Sequence, residues 1–142
     1  MSILDVYFNG KHIKDKEVVP LEQVQINKEP HVKFQPPANK YYTTIMFDPD
    51  APSRESHINR NHLHWLKVNN TSAIVPFEPS NPPAGSGPHR YCIYLLEQQG
   101  PITVPEFENT KPKRAKFNVD QFVKKYKLKP VSTIMYVTER PK

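Results

Sequence analysis

Residues 40–55 read "KYYTTIMFDPDAPSRE". The first half, "KYYTTIMF" (40–47), is apolar, aromatic and β-branched, and it reads as a strand largely buried on both faces. Where it ends, two acids, Asp48 and Asp50, alternate with two prolines, Pro49 and Pro52. Asp and Pro are ordinary turn residues, so the segment alone reads as a strand running into a solvated turn. It is equally a rigid way to hold two carboxylates at a strand end. The rest of the chain has to choose between these readings.

Further strands follow on either side. "HLHWLKVN" (62–69) alternates, placing His62, His64, Leu66 and Val68 on one face and Leu63, Trp65 and Lys67 on the other. "RYCIYLLEQ" (90–98) and "VSTIMYVTE" (131–139) read as two more strands, the first mostly buried. Between them, in "NVDQFVKKYKL", Val119, Phe122, Val123 and Tyr126 fall at i, i+3, i+4 and i+7, one stripe of a helix. Asn118 suits its N-cap, and Pro130 limits its continuation. Shorter strands are expected at 4–10, 24–28 and 31–34. Several strands with one late amphipathic helix favour a mainly β protein, a β-sandwich with a helix at one end.

The chain has 142 residues, which suits a single domain spanning 1–142. Sixteen prolines against four glycines argue for a loop-rich, strand-built protein, since Pro fits neither helix interiors nor central ladders. The lone Cys92 excludes an internal disulfide and a cysteine-rich zinc site, and reads as a small buried residue. No apolar run reaches the length of a membrane span. The first residues carry an early acid and no small-residue cleavage site, so no signal peptide and a soluble, cytoplasmic protein are expected. A net charge of +6 permits attraction to anionic lipid, phosphate or nucleic acid without selecting among them. The chain holds no recognised nucleic-acid module, so nucleic acid is not expected as a partner.

The loop "PFEPSNPPAGSGPHR" (76–90) is long for a structureless connection. Pro82 and Pro83 stiffen it, Gly85 and Gly87 permit positive φ, and it delivers His89 to the start of a buried strand. In order, the chain therefore carries an Asp-Pro-Asp-x-Pro turn, a strand with His64, a Pro-Pro-x-Gly-x-Gly loop, and "HRY" (89–91). This set closely resembles the phosphatidylethanolamine-binding protein family, also called Raf-kinase inhibitor proteins. The similarity runs from about Leu21 to the final strand.

The resemblance implies a Greek-key β-sandwich of two antiparallel sheets, with a pocket at one end for small anions such as phosphate or the phosphoethanolamine head group. Carried over by motif, the pocket residues are Asp48, His64, His89 and Tyr91, with Pro82 and Pro83 in a wall formed by residues 79–83. Asp50 and Pro52 hold the turn, with Arg54 as an ion-pair partner. The family also implies a cis peptide bond at Ala51–Pro52 and another at Arg60–Asn61. Three positions depart from its pattern: His62 stands where Trp is common, and Pro79 and Asn81 where animal members often have glycines. Pro79 offers no N–H to an anion. The chain ends at Lys142 without the C-terminal helix that helps close the pocket in mammalian members.

What the resemblance implies is a non-enzymatic binding module without a cofactor. It would take a small phosphorylated ligand or phospholipid head group and regulate partners such as a protein kinase. The main alternative is a metal-dependent hydrolase in which His62, His64 and His89, with Asp48 beside them, hold a zinc that activates water. Ser86 lies near His89, but no nucleophile elbow surrounds it. The basic runs 111–116 and 124–129 read as solvated faces or as a docking surface for anionic membrane. In the docking reading Lys111, Lys113, Arg114 and Lys116 carry the contact.

Overall fold

In chain order the strands are β1 (Asp5–Phe8), β2 (Lys11–Ile13), β3 (Glu17–Val18), β4 (His31–Lys33), β5 (Tyr41–Asp48), β6 (His62–Val68), β7 (Ser72–Val75), β8 (His89–Gln98) and β9 (Lys129–Thr138). The helices are α1 (Leu21–Val24) and α2 (Val119–Lys125), with a 3-10 turn at Pro105–Phe107. This computed structural model describes residues 4–34, 37, 39–107 and 113–141. Among them no helix is long and apolar enough to cross a membrane. Lys111 and Pro112 of the first basic run lie outside the described residues.

Two sheets form, a small one ordered β2-β1-β4 and a large one ordered β3-β9-β8-β5-β6-β7. The run β8-β5-β6-β7 is antiparallel throughout and has the order of a Greek key, the fourth strand returning beside the first. The expectation of two purely antiparallel sheets needs one correction. β3 pairs parallel with β9 at the edge of the large sheet.

The large sheet is buried on both faces, which explains why "TTIMF" does not alternate. One face packs Met46, Trp65, Tyr91, Ile93 and Tyr136 against Val6, Phe8 and Ile13 of the small sheet. The other packs Ile45, Phe47, Leu63 and Leu66 under Val119 and Phe122 of α2. The helix begins as expected, with Asn118 Oδ1 accepting the Gln121 backbone N–H at 2.9 Å, an N-cap bond. Val119 and Phe122 are buried, while Val123 and Tyr126 are half-buried along the same stripe.

Several details of the sequence reading change. Leu66 and Val68 do not share a face with His62 and His64. Met46 pairs with Trp65 but Phe47 pairs with Leu63, so His64 is an extra residue in β6. Such a bulge flips every side chain beyond it, and Leu63 joins Leu66 and Val68 under α2. The segment 24–28 is not a strand, because Leu21 and Val24, three apart and both buried, close a helical turn instead. β9 starts at Lys129 and includes Pro130, which a register shift between Leu95 and Leu96 accommodates. Cys92 is half-buried rather than buried, and burial pushes its thiol up to about 11.

Candidate functional site

Asp48 closes β5 and is 4% exposed. Its Oδ1 accepts the Asp50 backbone N–H at 2.7 Å, so the side chain folds the turn onto itself. Its Oδ2 accepts from His89 Nδ1 at 2.6 Å. The other His89 nitrogen, Nε2, lies 2.8 Å from Ser86 Oγ, and that hydroxyl also reaches the Pro83 carbonyl at 2.7 Å. Ser86 thus joins the loop to the acid–His pair, while both ring nitrogens of His89 are committed. Gly85 and Gly87 flank Ser86 with φ of +76° and +79°, the left-handed conformation for which glycine suits this hook.

Asp50 is fully buried. Arg90 donates its backbone N–H and Nε to Oδ2 at 2.8 and 3.0 Å, and its NH2 to Oδ1 at 2.8 Å. Arg54, the expected partner, stands at 3.5 Å, and Arg60 at 3.6 Å. The principal partner is therefore Arg90, which the sequence reading passed over. Burial pushes the Asp50 carboxyl up, but the hydrogen bonds and charge of Arg90, with Arg54 behind, outweigh it and hold the group below the usual carboxylate range. Alternation at the start of β8 explains the division of labour: His89 faces Asp48 while Arg90 faces Asp50. The Ala51–Pro52 and Arg60–Asn61 bonds are both cis, where the resemblance places them.

His64 donates from Nδ1 to the Glu78 carbonyl at 2.7 Å. Burial pushes its imidazole down to about 4, with the His62 charge adding to the effect and the Glu78 carbonyl opposing it. The ring is neutral at neutral pH, and Nε2 keeps its lone pair. His62 Nε2 lies 2.7 Å from Glu78 Oε1. Arg114 Nε reaches Glu78 Oε2 at 3.1 Å. The same guanidinium donates to the carbonyls of Leu63, His64 and Pro76 at 3.1, 3.1 and 2.8 Å. The His62 hydrogen bond is the main influence holding the Glu78 carboxyl low; burial opposes it, and the Arg114 charge assists. Glu78 was not foreseen as part of a site, and Arg114 was expected only in the basic docking surface. Arg114 is occupied inside the fold, so it is not a free cation of the basic run, whereas Lys113 and Lys116 are exposed.

Tyr91 lies between the histidines. Its ring is near-parallel to His89 at 6.2 Å and to Tyr136 at 5.3 Å, and meets His64 edge-on at 5.3 Å. Burial holds its hydroxyl well above its ordinary pKa, with the Asp48 charge adding to the effect, so it remains an O–H donor.

Asp48, Pro52, His64, Pro83, His89 and Tyr91 line one cavity of about 250 Å³, together with Ala51, Asn59, His62, Glu78 and Asn81. Asp50, Arg54 and Pro82 do not line it. Pro82 is buried behind the wall, its carbonyl accepting from Arg140 Nε at 2.9 Å. Of the departures in the wall, Asn81 faces the cavity and Pro79 does not. Gln25 and Arg140 hold Asn81 Oδ1 at 3.0 and 2.7 Å. The three-histidine set of the alternative reading, His62, His64 and His89, does not gather. The ligating atoms that gather within 4.8 Å of one another belong to His62, His64 and Glu78, because His89 is already paired through both nitrogens.

A family model described as phosphatidylethanolamine-binding protein matches residues 9–74. A phosphatidylethanolamine-binding protein homolog from Acanthamoeba polyphaga mimivirus is 38% identical over 139 residues, covering 95% of this chain and 96% of the relative. Among solved structures, a carboxypeptidase Y inhibitor complexed with its cognate proteinase superposes with a TM-score of 0.82 at 22% identity, over 99% of this chain and 84% of that one. A phosphatidylethanolamine-binding protein from Plasmodium vivax gives 0.78 at 21% identity, over 99% and 86%.

Proposed function

This chain belongs to the phosphatidylethanolamine-binding protein family, and we propose that within it the chain is a non-enzymatic cytoplasmic module. Its cavity takes a small phosphorylated ligand, free or as a lipid head group, and the module regulates a partner protein. One observation carries the reading: Asp48, His64, His89 and Tyr91, drawn from three separate motifs, line a single cavity of about 250 Å³. That volume equals roughly eight water molecules, so a head group fits inside and acyl chains stay outside.

The lining also supports a kind of ligand. Its described residues include the carboxylates of Asp48 and Glu78 and no Lys or Arg. Donors come from the Tyr91 hydroxyl and the amides of Asn59 and Asn81, and His64 Nε2 accepts. A fully ionised phosphate would meet two like charges here. A phosphate oxygen that keeps its proton can donate to His64 or Asp48, and an ammonium can pair with Glu78. Phosphoethanolamine offers both groups. A protein partner is supported by the relative of this fold that is an inhibitor seen with a proteinase. Crystals soaked with phosphoethanolamine test the reading. Density between Tyr91 and His64 is the expected result, and an empty cavity at saturating ligand counts against it.

A further inference from the structure

We infer that His62, His64 and Glu78 form a binding site for a transition-metal dication of the zinc class at the rim of the cavity. One ligating atom from each lies within 4.8 Å of the other two. Two imidazoles and one carboxylate are a zinc donor set that leaves a fourth position open, and the cavity lies beside it.

The surroundings of His64 and Glu78 fit that role. A metal-bound histidine almost always donates its other ring N–H to a carbonyl or carboxylate, which fixes the ring. His64 does so already, giving Nδ1–H to the Glu78 carbonyl at 2.7 Å and leaving Nε2 free. Glu78 is held from behind in the same sense, since Arg114 takes Oε2 at 3.1 Å and leaves Oε1 toward His62. His62 and Glu78 side chains are 29% and 40% exposed, so both can rotate. Tetrahedral ligands about 2.1 Å from zinc stand roughly 3.4 Å apart. The His62–Glu78 contact of 2.7 Å has to open slightly to admit the ion, and the exposure of these two side chains permits it. The dication also supplies the permanent positive charge that the lining lacks.

The inference stands on these three residues and not on the phosphate reading. It is tested by titrating zinc chloride calorimetrically into the full metal-free chain and into His62→Gln, Glu78→Gln and His31→Gln, the last on exposed β4 away from the cluster. One zinc per chain is expected for the unaltered protein and for His31→Gln, with at least tenfold weaker binding in the other two. Cobalt(II) bound to the unaltered chain should show the intense visible bands of tetrahedral coordination. Absence of saturable zinc binding, or undiminished binding in folded His62→Gln, overturns the inference. Phosphoethanolamine titrated into the metal-free chain reads the earlier proposal separately. Zinc binding without phosphoethanolamine binding removes that proposal alone, and the reverse result removes this one alone.

Discussion

Arg90 closes on Asp50 through three donors, its backbone N–H at 2.8 Å and its Nε and NH2 at 3.0 and 2.8 Å. This fastens the Asp-Pro-Asp turn to the first residues of β8, so that Asp48 and His89 meet at 2.6 Å. The two acids of the turn therefore do different work. Asp50 holds the scaffold, and Asp48 orients a histidine in the cavity.

Replacing Asp50 with Asn should lower stability by about 2 kcal/mol, the cost of losing charged hydrogen bonds to a buried carboxylate, measured by urea unfolding at pH 7. The pH dependence follows from the lowered carboxyl. The native group binds its proton at lower pH than the unfolded one, whose ordinary value is about 3.9. Its stabilisation is thus complete above that value and is lost as pH falls through the native one. The gap between the unaltered protein and Asp50→Asn should shrink steadily below about pH 4. A gap that widens there contradicts this account.

Asn118→Ala removes the side-chain oxygen that caps α2 and should cost about 1 kcal/mol in urea unfolding. The helix covers the sheet face remote from the cavity, so phosphate affinity should not change.

The basic segment before α2 should separate into two kinds of residue. Arg114→Ala removes four contacts, to three carbonyls and the Glu78 carboxylate, and should lower stability by about 2 kcal/mol. Lys113→Ala and Lys116→Ala should leave stability unchanged and weaken sedimentation with anionic vesicles. That binding should fade with added salt, since exposed charges are screened over about 8 Å at physiological ionic strength. Strong, salt-insensitive binding to neutral phosphatidylethanolamine vesicles would contradict the assignment of vesicle binding to these lysines.

Cys92 should react slowly with iodoacetamide in the native protein at pH 8. It is half-buried and its thiol is pushed up to about 11, so little thiolate is present. Labelling should accelerate by more than tenfold in urea, read by mass spectrometry.

The part of this site that could be read from sequence consists of residues inside short motifs. Asp48, His89 and Tyr91 sit in proline- and glycine-punctuated segments where turn chemistry is local. The asparagine cap and apolar stripe of α2 are local as well. Glu78 and Arg114 could not be read in this way. They meet His62 and His64 only because an irregular loop and the segment before α2 both fold against β6, and neither segment has a period. The bulge at His64 escaped for a related reason. The alternation in "HLHWLKVN" is a property of one strand, whereas its register depends on β5. Arg90 stood in full view beside His89, but its role became visible only when β8 was placed against the turn.

Calorimetric titration of phosphoethanolamine into the unaltered chain, His89→Ala and Tyr91→Phe, each checked for fold by circular dichroism, tests the central claim most directly. The account predicts saturable one-to-one binding to the unaltered chain. Affinity should fall at least tenfold in His89→Ala, which loses the ring that Asp48 and Ser86 hold at the cavity wall. Tyr91→Phe should lose about 1 kcal/mol of binding with its hydroxyl donor. No saturable binding to the unaltered chain, or undiminished affinity in a folded His89→Ala protein, would contradict it.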